Sequence, residues 1–238
     1  MDSTASGESL LSPASVVPGL HLPPDLPPLA TFAPESAIHD FPSWAQQEPN
    51  AEPLVELSQS NLVLLHSYSR AGWSRSVGRQ FLRMGLEQRL VQAQQALPTG
   101  FGFAVFDAWR PLDLQRELFD AAQESADVVN GNGVAVPSSD PTTPPPHLTG
   151  GAVDLTLTWR GTPLALGTQF DDFSDVARTD AFEGRPGPVR SLRRLMFWTL
   201  SSHGMVVLAE EWWHYEYGTR LWSTVTGSPT AYGATHPE

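Results

Sequence analysis

Two short segments bring together side chains that bind metal ions. HLTGGAVD carries His147 and Asp154 seven residues apart, and EEWWH carries Glu211 and His214 three apart. Two imidazoles and one carboxylate give a divalent ion three ligands and leave a fourth position for water, as in a catalytic rather than a structural zinc site. Zinc so held lowers the pKa of bound water toward about 7 and polarises a carbonyl. Hydrolysis also needs a general base beside that water, and Glu211 is the carboxylate at hand. Each segment alone arises by chance in many chains of this length, and taken alone His147 reads as a structural histidine and Glu211 as a solvated strand-end carboxylate. Three features sharpen the pair. Gly150 and Gly151 let backbone pass close to something, Pro144, Pro145 and Pro146 stiffen the approach to His147, and Asp154 needs a partner if it points into an apolar core.

FDAWRP supplies a third group. Arg110 presents a planar fork of donors at a strand-to-helix junction, where it can stabilise the oxyanion of a tetrahedral intermediate. Taken alone, it reads as an ordinary ion pair with Asp107 or Asp113.

The elements that must carry these groups follow from periodicity. Residues 75–97 set Leu82, Leu86, Leu90, Ala93 and Leu97 on one helical stripe, ended by Pro98 and Gly100. FGFAVFDAW (101–109) reads as a strand, and Pro111 opens a second helix bearing Leu114 and Leu118. Residues 125–146 read as a long loop. AVDLTLTW (152–159) alternates as a strand does, with a hairpin turn at Arg160 and Gly161, followed by a loop over 166–188. Residues 189–203 form a third helix with Gly204 at its end, and MVVLA (205–209) and WWHYEY (212–217) read as strands. Positions i and i+3 do not share a face of a strand, so aiming both Glu211 and His214 inward requires a bulge or turn at Trp212 and Trp213. The sum is an α+β domain, with helices packed on a mostly antiparallel sheet and a zinc site at the strand ends.

Composition narrows the function further. The chain has 238 residues, no cysteine, 26 carboxylates against 14 arginines, and a net charge of -12. That excludes a disulfide scaffold and a cysteine nucleophile, and it argues against a nucleic-acid partner, which needs clustered basic charge. No apolar run is long enough to span a membrane. The first twenty residues contain no basic side chain and are broken by serine and proline, so they do not read as a secretory signal, and a cytoplasmic location is expected. Ten of the 22 prolines fall in residues 1–53, which favours an extended or disordered tail over residues 1–36 and a catalytic domain over 37–238. Phe41, Trp44, Leu54 and Val55 want burial, so part of 37–60 is expected to wrap the domain.

In this order, D-A-W-R-P, H-x-x-G-x-x-x-D-L-T-L, G-T-x-F-D and E-W-W-H-Y resemble the D-alanyl-D-alanine dipeptidases, zinc enzymes of the vancomycin-resistance type and their housekeeping relatives. The resemblance spans roughly residues 60–220. It implies one zinc per chain held by His147, Asp154 and His214, Glu211 as catalytic base, and Arg110 stabilising the transition-state oxygen. It implies also that Asp171, in GTQFD, receives the free ammonium of a small dipeptide substrate. The sequence departs from the family pattern at Pro145, where a serine usually contacts substrate, and at Trp109, where tyrosine often precedes the arginine. A D,D- or L,D-carboxypeptidase acting on peptidoglycan stem peptides shares the same metal site with an open cleft, and a non-catalytic zinc-stabilised binding domain is the reading from another class. Oligomeric state has no signature in the sequence.

Overall fold

The computed structural model of the chain describes residues 11–14, 17–29, 51–124 and 134–238. In chain order its strands are β1 (Ser12–Pro13), β2 (Leu54–Glu56), β3 (Val63–Leu64), β4 (Phe81–Arg83), β5 (Phe101–Asp107), β6 (Ala152–Trp159), β7 (Thr162–Ala165), β8 (Val206–Val207) and β9 (His214–Glu216). Its helices are α1 (Ser67–Arg70), α2 (Met84–Ala96), α3 (Leu112–Glu124), α4 (Pro188–Ser202) and α5 (Arg220–Thr226).

Among the described residues, one sheet runs β1-β7-β6-β5-β3, with β9 also on β6 and β8 on β9; β2 and β4 pair separately. The α+β class holds, but the sheet is mixed rather than mostly antiparallel, because β3 runs parallel to β5 and β1 parallel to β7. A parallel pairing needs a crossover. The chain from β3 to β5 supplies one through α1, β4 and α2. Two-residue strands have no alternation to betray them.

Strand β6 organises the site. It pairs with β5 along one edge and shares its other edge between β7 and β9. The register sets Asp107 opposite Asp154 and Asp154 opposite His214, so one row across three strands carries three ionisable side chains. All eight β6 residues are buried, because both faces are covered. On one face α2 and α4 pack together over Val153, Leu155 and Leu157. Burying side chains of this size contributes roughly 1.5–3 kcal/mol each. The alternate residues Ala152, Asp154, Thr156 and Thr158 face the other way.

The expected helix over 75–97 begins only at Met84. Residues 81–83 are β4, paired antiparallel with Leu54–Glu56, so tertiary pairing overrides a stripe in which Leu82 happens to keep helical phase. Leu54 and Val55 thus pack as expected, while Phe41 and Trp44 lie outside the described residues. Pro188 opens α4, and Gly204 follows it at φ 82°. Within residues 1–36, the described stretches 11–14 and 17–29 lie against the domain. Leu11 and Leu29 are buried, Asp25 pairs with Arg194 at 2.9 Å, and the Pro27 carbonyl accepts the Trp198 indole N–H. Among the described residues no helix is long and apolar enough to cross a membrane.

Candidate metal centre and active site

His147, Asp154 and His214 come together, all buried, with one ligand atom from each within 4.8 Å of the others. Proline-stiffened chain enters a single 3-10 turn at His147–Thr149. The Pro145 carbonyl starts that turn by accepting the Leu148 N–H, and Gly150 leaves it at φ 70°. A Cβ on Gly150 would lie 2.4 Å from Leu54, so the close approach foreseen for this glycine is to β2. Asp154 and His214 project from paired positions of β6 and β9.

The second nitrogen of each ring decides which atom is free. His147 Nδ1 lies 2.7 Å from the Ala108 carbonyl, which only accepts, so Nδ1 carries the proton and Nε2 presents its lone pair. His214 Nε2 lies 2.8 Å from Glu216 Oε1, which leaves Nδ1 facing His147. The two free nitrogens are 3.2 Å apart, and the Asp154 oxygens lie 2.9 Å from His214 Nδ1 and 3.3 Å from His147 Nε2. Three electron-rich atoms this close repel unless a cation or proton lies among them. Tetrahedral ligands about 2.0–2.2 Å from zinc sit about 3.3–3.6 Å from one another, so a donor set this close needs only a slight opening to fit that ion. Burial opposes the charge of Asp154, yet the two imidazoles hold its carboxyl well below the usual carboxylate range. Burial would likewise lower His214, but hydrogen bonds to Asp154 and Glu216 raise it well above the usual histidine value.

Glu211 sits in the turn between β8 and β9. Its carbonyl accepts the His214 N–H at 3.2 Å, so a turn through Trp212 and Trp213 answers the spacing problem posed by E-x-x-H. Both tryptophans are buried, and the Trp213 carbonyl receives the Leu155 N–H, fastening the turn to β6. Glu211 Oε2 is 4.0 Å from His214 Nδ1, beside the ligand cluster. Burial pushes its carboxyl up to about 8; His214 and Arg110 pull against the rise, while Asp154 and Asp171 add to it.

Arg110 leaves β5 toward the same point. Its Nε donates to Asp107 at 2.8 Å and its Nη1 to Gln115 at 2.9 Å, so the ion pair with Asp107 is real and aims the guanidinium. Nη2 faces Tyr68 Oη at 3.2 Å and Asp154 at 3.4 Å. These two longer bonds are the ones an incoming oxygen can most easily replace. Burial would weaken the charge of Arg110, but Tyr68, Asp107, Asp154 and Asp171 hold it firmly protonated.

Asp171 reaches the site from the loop after β7. Phe170 stacks on Phe106 at 4.5 Å and abuts Trp213, while the Thr168 hydroxyl accepts the Trp212 indole N–H. That fixes the loop and places Asp171, at φ 59°, where Tyr68 donates to its Oδ1 at 3.3 Å. Burial pushes its carboxyl up to about 7 against the pull of Arg110. Beyond it, Val134 packs on Tyr68, Leu114 and Leu118, and the Ala135 carbonyl accepts from Gln115.

The structure therefore gathers all six residues singled out from the sequence. It adds Tyr68, which links Arg110 to Asp171, Gln115, which props Arg110, and Glu216, which orients His214. Glu216 stands two residues after His214 on a strand, a same-face spacing that could have exposed it. Tyr68 leaves no such trace, since its partners are far away in sequence.

The family described as D-ala-D-ala dipeptidase matches residues 78–232, well over half of the chain. A protein of Synechocystis sp. named D-alanyl-D-alanine dipeptidase is 29% identical over 211 residues, covering 72% of this chain and 84% of that protein. A protein of the same name from Escherichia coli is 31% identical over 120 residues, covering 50% of this chain and 56% of that protein.

Proposed function

The chain belongs to the D-ala-D-ala dipeptidase family of metallopeptidases, and from that premise we propose that it is a zinc-dependent dipeptidase hydrolysing D-alanyl-D-alanine. The observation that carries this reading is the ligand cluster, where His147 Nε2, His214 Nδ1 and the Asp154 carboxylate converge while Ala108 and Glu216 occupy the other ring nitrogens. One zinc ion held by these three residues supplies Lewis-acid polarisation of the scissile carbonyl and activation of water.

The chain's own residues do the rest. Glu211 takes a proton from the attacking water and passes it to the leaving amine. Its position supports this role, because Glu211 Oε2 lies 4.0 Å from His214 Nδ1 and burial makes its carboxylate a stronger proton acceptor than an exposed one. Arg110, aimed by Asp107 and Gln115, offers Nη2 to the oxygen that becomes negative in the transition state. Asp171, buried and bonded by Tyr68, receives the substrate ammonium, and that salt bridge limits the substrate to two residues. Pro145 offers no hydroxyl where the family pattern has serine, so that substrate contact is missing and the dipeptide preference differs accordingly.

The test is hydrolysis of D-Ala-D-Ala by zinc-loaded protein, followed by release of free D-alanine. Turnover that chelator abolishes and zinc restores, and that Glu211→Ala removes, supports the reading. Absence of turnover in protein carrying stoichiometric zinc overturns it.

A further inference from the structure

The end of the chain returns to the two backbone segments that carry Arg110 and His147. Trp109, buried beside Arg110, donates its indole N–H to the Thr235 carbonyl at 2.9 Å. The Thr235 N–H donates to the carbonyl of Leu148, the residue after His147, at 3.1 Å. One residue's backbone thus bridges the arginine segment and the metal-ligand turn. Their direct links are the His147 Nδ1 bond to Ala108 and a longer Arg110 N–H bond to the His147 carbonyl at 3.3 Å.

Arg83 secures the bridge from behind. Its buried guanidinium spends its hydrogen bonds on backbone carbonyls: Thr149 at 2.9 Å, Gly233 at 3.1 Å, and Glu52. Its own N–H donates to Gly150, while the neighbouring Phe81 carbonyl accepts the Trp109 N–H. Strand β4, the turn at 147–150, residues 108–110 and the C-terminal segment are therefore fastened into one unit. Phe81, Trp109 and Leu148 fill its interior, and the His236 ring meets Trp109 edge to face at 5.9 Å.

We propose that the backbone of Thr235 is a positioning element, setting Arg110 relative to the ligand His147 by tying Trp109 to Leu148. A buried indole N–H without an acceptor is costly, so the tie has a defined geometry. Displacement of about 1 Å between catalytic groups can lower turnover about 10²-fold, and support behind metal ligands typically changes metal affinity about 10–100-fold. The turnover part of this proposal rests on the dipeptidase reading, and the metal part does not.

Three variants test it: truncation after Gly233, which keeps the carbonyl that Arg83 uses; Trp109→Phe, which keeps a ring against Phe81; and Thr235→Ala, which keeps both backbone bonds. Zinc Kd by chelator competition, and kcat and KM for D-Ala-D-Ala, are measured on each. The truncation and Trp109→Phe should each weaken zinc binding about 10-fold and lower kcat about 10-fold with KM nearly unchanged. Thr235→Ala should match the parent, and combining Trp109→Phe with the truncation should cost no more than the truncation alone, because both break one bridge. Unchanged zinc Kd and kcat in both variants, or fully additive losses, overturn the proposal. If the truncated chain does not fold, Trp109→Phe against Thr235→Ala decides by itself. Parent protein that binds zinc yet leaves D-Ala-D-Ala intact overturns the dipeptidase reading, and the zinc Kd series still judges the bridge.

Discussion

His147 Nε2 and His214 Nδ1 stand 3.2 Å apart with the Asp154 carboxylate against both, although each ring has its other nitrogen bonded elsewhere. Lone pairs held this close need a metal ion or a proton between them, and the three donors together suit a divalent ion. Purified protein should carry about one zinc per chain, and His214→Ala should lose most of it. Glu211→Ala should keep the metal and lose at least about 10²-fold in turnover, the scale of a positioned general base. Metal analysis alongside kinetics checks both, and loss of zinc from Glu211→Ala would move Glu211 into the ligand set.

The same cluster fixes a pH dependence. Without metal, burial raises Glu211 to about 8 and Asp171 to about 7, and His214 is held protonated above its usual range. Each group binds more protons folded than unfolded near neutral pH, so its contribution is present at lower pH and lost as pH rises through the folded value. The Tm of chelator-treated protein should therefore be lower at about pH 9 than at about pH 6.5. A metal ion takes the place of the His214 proton, so zinc affinity should rise over the same window. Thermal scans with and without zinc read both slopes, and a metal-free Tm that climbs with pH contradicts the assignment.

The N-terminal stretch should matter to stability. Deleting residues 1–29 removes two buried leucines, the β1–β7 pairing and the Asp25 contacts to Arg190 and Arg194. Burial of Leu11 and Leu29 alone is worth roughly 1.5–3 kcal/mol each when complete, which at this size lowers Tm by about 5 °C or more. Calorimetry of the truncated chain checks this, and an unchanged Tm would mean the stretch is an idle tail.

That contrast shows what a sequence carries. Strand β6 was legible to the residue, because alternation over eight positions between turn signals leaves little choice. The cluster of His147, Asp154 and His214 was legible because only a few side-chain types can hold such an ion and two of the motifs carry all three. Residues 75–83 misled, since Leu82 keeps the phase of Leu86 and Leu90 while pairing as a strand with Val55. Strands β1 and β3 left no trace, because two residues have no period and their parallel partners lie far along the chain. Tyr68 escaped for a similar reason: its roles come from Arg110 and Asp171, which only the folded chain brings to it.

The most direct test of the dipeptidase account is the ratio of kcat/KM for D-Ala-D-Ala to that for N-acetyl-D-Ala-D-Ala on zinc-loaded protein. Capping removes the ammonium that Asp171 is assigned to receive and adds bulk beside that buried carboxylate. A buried carboxylate left without its partner costs several kcal/mol, so the free dipeptide should be favoured at least about 10³-fold. Asp171→Asn should collapse that ratio by slowing the free dipeptide far more than the capped one. A capped or longer peptide cleaved as well as D-Ala-D-Ala, or better, would contradict the account and make the protein a carboxypeptidase built on the same ligands.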